Sequence, residues 1–172
     1  MTGAWPDRAQ INAFDDELAS LDGVATAAAL DAGELSQREV IEHAIARSKA
    51  VDPELHAVAA ERYEAALSQP LPARPRRGSF EGVATFIKDM VPVAGMPSTW
   101  GSVALTGGPP IKKTKGIAED IDKMGMVTLG LSTMPEYGFT SSTEFPHIPS
   151  TVNPWNPERS IGGSSGGAAA LV

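Results

Sequence analysis

The sequence predicts an α/β fold in which helices flank a mixed or parallel sheet, and three observations carry that reading. Segments with helical apolar spacing alternate with short apolar runs along the chain, the pattern of strands covered by helices. The run Gly82-Val-Ala-Thr-Phe-Ile87 is apolar at successive positions, as a strand buried on both faces has to be. The 172 residues are 42% hydrophobic and 20% charged, a composition that supports a packed core rather than disorder.

The elements follow in order. Asp22 can cap a short helix through Ala28 and Leu30, with Gly33 as its stop. Ser36-Gln-Arg-Glu39 is a capping-box pattern that starts a second helix: the serine oxygen can accept from the backbone three residues on while Glu39 reaches back. Val40, Ile41, Ala44 and Ile45 form its apolar stripe, and Asp52-Pro53 is expected to break it. Residues Glu54 to Leu67 read as a third helix. Gln69 to Gly78 holds three prolines and three arginines and suits an exposed connector with solvated charges. The strand at 82–87 then delivers Lys88 at its end. Ile117, Ile121 and Met124 recur at helical spacing up to Gly125, and Met126-Val-Thr-Leu129 follows as another strand. One domain is expected, with residues 1–20 loose, 21–68 helical and 80–172 forming the α/β core.

Composition narrows the function classes. A formal charge of −7 argues against direct binding to a nucleic-acid backbone, which is driven by lysine and arginine displacing counterions, and a neutral or cationic small molecule fits better. The absence of cysteine removes disulfides and thiolate metal sites, and there is no apolar run long enough for a spanning helix. The opening Met1-Thr-Gly-Ala-Trp-Pro-Asp-Arg8 lacks a basic flank followed by an apolar stretch, so a cytoplasmic protein without a membrane partner is expected. A homo-oligomer is compatible with the sequence.

Two segments could carry chemistry. In Ile161-Gly-Gly-Ser-Ser-Gly-Gly-Ala-Ala-Ala-Leu-Val172 four glycines frame two serines ahead of a helix former, which lets backbone amides and hydroxyls approach a ligand closely. Taken alone, this segment reads equally as a flexible linker. A phosphate cradle is disfavoured because neither Gly-Lys-Ser/Thr nor Gly-x-Gly-x-x-Gly spacing is present. Lys88, directly after a buried strand, is either snorkelling to the surface or held in a site. To act as a base it has to lose the charge that an ordinary lysine, with a pKa of about 10.4, keeps at neutral pH; desolvation at a strand end can do this.

Together the two segments resemble the amidase signature family. Phe86-Ile-Lys-Asp-Met90 is similar to the family's lysine motif, and Gly162-Gly-Ser-Ser-Gly-Gly167 to its glycine-serine motif. Gly125-Met-Val-Thr-Leu-Gly130, Thr133-Met-Pro-Glu-Tyr-Gly138 and Asn153-Pro-Trp-Asn156 lie between them in the family's order, and Ser36-Gln-Arg-Glu39 and Val51-Asp-Pro-Glu-Leu55 resemble its amino-terminal region.

The resemblance implies carboxamide hydrolysis by a Ser-cisSer-Lys mechanism that needs no cofactor, with a small-molecule amide as substrate. Lys88 is then the base and Ser164 the bridge, with a cis peptide bond before it. Ser165 supports the lysine by a hydrogen bond, and Gly162, Gly163, Gly166 and Gly167 shape the loop. The family places its nucleophile in a Gly-Gly-Ser segment beyond Ser164, which these residues do not include, so the fold is expected to be incomplete here and the chain inactive by itself. The terminal Ala168-Ala-Ala-Leu-Val172 starts an apolar helix whose last residues are expected to fray. A second departure is Leu131-Ser132, where the family often has a lysine after the glycine; little catalytic consequence is expected. The glutamine-hydrolysing component of an amidotransferase that serves charged tRNA shares the motifs, and a non-catalytic scaffold on the same fold is the reading from another class.

Other residues have plainer expected roles. No metal site is expected: His43 and His56 read as ordinary surface or boundary positions, and His147 is a loop histidine between Pro146 and Pro149 with no Cys or carboxylate at ligand spacing. Thr140-Ser-Ser-Thr143 reads as turn hydrogen bonding, Glu136 as structural, and Trp100, Phe139 and Trp155 as core packing.

Overall fold

The computed structural model describes residue 11 and residues 17–70 and 78–172. The expectations for residues 1–10, 12–16 and 71–77, most of the loose start and of the connector, lie outside them.

Helix α1 (Gly23–Ala32) begins where Asp22 accepts from the N–H groups of Val24 and Ala25, and ends at Gly33 in the left-handed conformation. Helix α2 (Gln37–Leu55) carries the complete capping box of Ser36 and Glu39. It runs one turn further than Asp52-Pro53 suggests. A proline in the last turn forfeits only one helical hydrogen bond, and Asp52 Oδ1 instead accepts from Ala57 N at 2.7 Å and Val58 N at 2.9 Å, drawing the chain out of the helix after left-handed His56.

The expected helix over 54–67 is therefore corrected, and with it the all-helical reading of 21–68. Val58–Glu61 is strand β1, alternately half-buried and exposed, and only Tyr63–Leu67 (α3) is helical. The sheet next to it decides the matter: β1 pairs antiparallel with strand β3 (Val127–Ser132), which supplies backbone partners that a helix would have to forgo. Strand β2 (Ala84–Lys88) lies parallel on the other side of β3, giving a mixed sheet of order β1-β3-β2. The remaining α-helices among the described residues are α4 (Ile117–Lys123) and α5 (Gly166–Leu171), with short 3-10 turns at Glu17–Ser20, Val103–Leu105 and Glu136–Gly138.

Helices cover both faces. On one, Ile41 and Ile45 of α2 with Tyr63 and Ala66 of α3 pack on Val127 and Leu129, joined by Ala84 and Phe86. On the other, Ala118 and Ile121 of α4 meet Ile87 and Leu131, with Val93 and Met96. Each fully buried aliphatic side chain of this kind stabilises the fold by roughly 1.5–3 kcal/mol. The membership of the two clusters shows a crossing-over in β3, since Val127 and Leu129 face α2 whereas Leu131 faces α4. A bulge explains it: the pairing with β2 runs Thr85 to Thr128 and then Phe86 to Gly130, so one extra residue of β3 reverses its later alternation. Lys88 and Ser132 end the two strands as register partners.

The aromatic expectation is also corrected. Trp100, Phe139 and Trp155 are exposed, Phe139 at 88% of its surface, and the aromatic rings in the sheet core are those of Tyr63 and Phe86 among aliphatic side chains. Trp100 and Tyr137 hold left-handed backbone in loops tied by Tyr137 N donating to Trp100 O at 2.7 Å, which leaves their rings outside the layers.

Candidate active site

Strand β2 ends at Lys88 because the next residues turn away: Val91 N donates back to Lys88 O at 2.9 Å, and Asp89 N donates to Ser132 O at 3.1 Å. The lysine is half-buried, and loss of hydration holds its amine below the ordinary lysine pKa. Its Nζ donates to Ser164 Oγ at 2.7 Å, across 76 residues of sequence. The peptide bond between Gly163 and Ser164 is cis. The two residues singled out from sequence as base and bridge are thus in direct contact. Ser165, given a hydrogen bond to the lysine by the resemblance, stands apart: it is exposed, and its side chain does not cap α5.

The loop carrying Ser164 is docked on three threonines. Thr143 donates to Gly162 O from both its N–H (2.9 Å) and its Oγ1 (2.8 Å). Gly167 N donates to Thr133 O at 3.0 Å. Thr133 Oγ1 and Thr151 Oγ1 lie 2.7 Å apart, and Thr151 Oγ1 donates to His56 O at 2.9 Å. Close approach explains the second glycine pair. A Cβ at Gly166 would overlap the Thr143 side chain, and one at Gly167 would overlap Thr133 and the carbonyl of Ala57. Gly162 has φ +81°, and a Cβ at Gly163 would crowd Ser141 and Ser142 at 3.1 Å.

Beside the lysine, Asp89 is 1% exposed and organises the following loop. Its carboxylate accepts from Thr99 N and Thr99 Oγ1, with a longer bond from Gly101 N at 3.5 Å. Burial raises its pKa and these bonds oppose the rise. Ser102 Oγ then donates to Glu136 Oε1 at 2.6 Å, which gives Glu136 a structural bond. Thr140 and Thr143 serve the loop through hydrogen bonds. His43 and His147 are exposed, and no group of three or more His, Asp or Glu among the described residues could hold a metal ion.

Sequence reasoning gave no role to Asp89, Thr133 and Thr151, and expected little catalytic consequence at Leu131-Ser132. The available signal was a polar residue adjoining each motif, but only the fold shows what each one touches. A separate cavity of about 520 Å³, largely apolar, lies between α2, β2 and α5 and includes Ala44, Val51, Phe86 and Ala170 but neither Lys88 nor Ser164.

In chemical terms the pair is an amine whose pKa is lowered by burial, in hydrogen-bond contact with a hydroxyl. Known proteins place that arrangement. The chain is 38% identical over 164 residues to AmiC of Mycobacterium tuberculosis, a protein with an amidase designation, covering 95% of this chain and 34% of that one. It is 37% identical over 163 residues to one component of the glutamyl-tRNA(Gln) amidotransferase of Chloroflexus aurantiacus, covering 91% and 33%. Among solved structures, a bacterial aryl acylamidase of the amidase signature enzymes superposes with a TM-score of 0.79 at 30% identity, covering 88% of this chain and 33% of that one. 6-Aminohexanoate cyclic dimer hydrolase does so with a TM-score of 0.77 at 33% identity, covering 88% and 32%. The chain therefore spans about a third of the length of the relatives it matches. With the Amidase family profile also matching residues 39–172, the lysine-serine contact sits in a chain that belongs to the amidase signature family.

Proposed function

We propose that this chain supplies the lysine-serine proton relay of a carboxamide hydrolase working by a Ser-cisSer-Lys mechanism. The observation that supports it is the 2.7 Å contact between Lys88 Nζ and Ser164 Oγ, with the lysine's pKa lowered by burial. Neutral Lys88 takes the proton of the Ser164 hydroxyl as Ser164 takes that of a serine nucleophile. The nucleophile's oxygen bonds to the amide carbon, and the tetrahedral adduct expels the nitrogen as it receives the proton back from Lys88 through Ser164. Water then cleaves the acyl-enzyme ester, freeing the carboxylic acid. Gly162, Gly163, Gly166 and Gly167 hold the loop against its threonines.

The nucleophile and its oxyanion donors belong to a downstream Gly-Gly-Ser segment outside residues 1–172, so this chain alone does not turn over amides. One oxyanion donor by itself can be worth about 3 kcal/mol of barrier. Incubated with aliphatic and aromatic carboxamides, the chain should release no more ammonia or amine than its Lys88→Met variant. Release that this substitution abolishes would overturn the predicted inactivity. In a longer polypeptide carrying the downstream segment, an unchanged rate after Lys88→Met would remove the lysine from the reaction. Substrate is a small amide met in the cytoplasm.

The amidotransferase relative supports a second reading, a glutamine-hydrolysing component that releases ammonia for transfer to charged tRNA. Copurification with the other components and glutamine-dependent ammonia delivery distinguish it. A tight complex with a partner and no amide chemistry in the longer polypeptide would favour a scaffold.

A further inference from the structure

Ser132 ends β3 directly beside Lys88, and the one-residue bulge determines which way it faces. Without it, Ser132 would alternate to the face opposite Val127 and Leu129, toward α4. With it, Leu131 joins Ile87 on the α4 side, and Ser132 shares the face of its register partner Lys88. Ser132 is fully buried, and its Oγ has no hydrogen-bond partner among the described residues. A hydroxyl in that position is costly unless something occupies it in use. Lys88 Nζ, for its part, donates to Ser164, which leaves further N–H groups of the amine without a partner among the described residues.

We infer that Ser132 is a positioning residue for Lys88: its Oγ, unpartnered in the structure, becomes the acceptor for a second N–H of the amine when the lysine works, and thereby turns the nitrogen toward Ser164. This rests on the proposed role of Lys88 as base. An amine with one N–H held by Ser132 keeps its lone pair available along the line to the Ser164 hydroxyl, where the proton has to arrive. When the amine is protonated, the same acceptor supports the cation. Loss of Ser132 therefore disfavours the charged form and misdirects the neutral one.

The surroundings make the effect readable. β3 and α5 carry no ionisable side chain, and the adjoining carboxylate of Asp89 is engaged by Thr99 and Gly101. The test is a pH titration of the Lys88 side chain by ¹³C NMR in the 172-residue chain, with the signal assigned by Lys88→Arg. Ser132→Ala should lower the Lys88 midpoint by a factor of roughly three to ten in its ionisation constant, the range of one net hydrogen bond. Ser132→Thr, which restores a hydroxyl, should return it close to the parent value. An unshifted midpoint in Ser132→Ala, or a shift of the same size in Ser132→Thr, overturns the inference. The base role fails separately: it is undermined if Lys88 of the parent chain titrates as a free lysine, whatever Ser132 does. Should Ser132→Ala not fold, Ser132→Cys, which keeps the volume but accepts hydrogen bonds weakly, has to reproduce the downward shift.

Discussion

Gly167→Ala pits helix propensity against close packing, and the structure says which wins. Gly167 is the second residue of α5, where alanine in place of glycine would ordinarily gain up to about 1 kcal/mol. Its Cβ would overlap Thr133 N, Thr133 Oγ1 and Ala57 O, of which two are backbone atoms held in the β1–β3 region. Rotating a side chain cannot relieve that. Overpacking of this sort costs about 1–3 kcal/mol. Backing the loop away also lengthens the Gly167 N to Thr133 O bond, worth about 0.5–1.5 kcal/mol. The net is a loss of about 1–3 kcal/mol, or roughly 3–10 °C in Tm for a chain of this size. Gly23→Ala is the matched control: it is the first residue of α1, and its Cβ would meet Phe80 and Val83 at ordinary distances of 3.9 and 4.0 Å. That substitution should be neutral or stabilise by about 0.5 kcal/mol. Thermal and urea unfolding followed by circular dichroism would compare both variants with the parent. A Gly167→Ala chain as stable as the parent would refute the account of why the loop needs glycine there.

Three further outcomes follow from the same geometry. Because burial holds Lys88 below its ordinary value, the native state binds fewer protons than the unfolded chain from that lowered value up to about 10.4; stability should therefore rise with pH across this window. Lys88→Met should flatten that slope in urea titrations at several pH values, and an unchanged slope would assign it to other groups. Asp89→Ala leaves the donors of Thr99 and Gly101 facing an empty buried site, at about 1–3 kcal/mol for each unpaired group, whereas Asp89→Asn keeps part of the bonding and should cost less in denaturant unfolding. Its carboxyl is raised by burial, so its contribution is largest at low pH and is lost as pH climbs through the folded value, a dependence that Asp89→Asn should remove. Ser36→Ala dismantles the capping box and should lower stability by about 1 kcal/mol in the same assay.

The legible parts of the fold were those written in local code. Asp22 with Gly33 and Ser36 with Glu39 are signals confined to a few residues, and the structure forms both as read. Strands β2 and β3 were legible because their apolar runs match burial under helices on two sides. β1 was not, since Val-Ala-Ala-Glu has no strong alternation and a single β-branched residue, and pairing with a strand some 70 residues away decides its state. Lys88 and Ser164 were legible only jointly and through resemblance; neither spacing nor composition brings residues 76 apart to 2.7 Å. The aromatic side chains were misread because hydrophobicity predicts burial only on average, while backbone turns at Trp100 and Tyr137 fix where these rings go.

What supports the lysine-serine pair is spread over segments that sequence alone gives no reason to join. Asp52, at the end of α2, ties down Ala57 and Val58; His56 and Ala57 in turn offer their carbonyls to Thr151 and Thr133; and those threonines carry the loop through Gly167. The helix end before β1 is therefore part of the scaffold under Ser164, although it contributes no chemistry. On the opposite side, the bulge in β3 fixes the face of Ser132, and Asp89 fixes the loop that follows the lysine. The contact between Lys88 and Ser164 is thus bounded by local bonds of Asp52 and Asp89 and by long-range bonds of Thr133, Thr143 and Thr151. A reader of the sequence meets those groups as ordinary threonines, serines and aspartates, and their meaning arises only when the sheet register brings them into line.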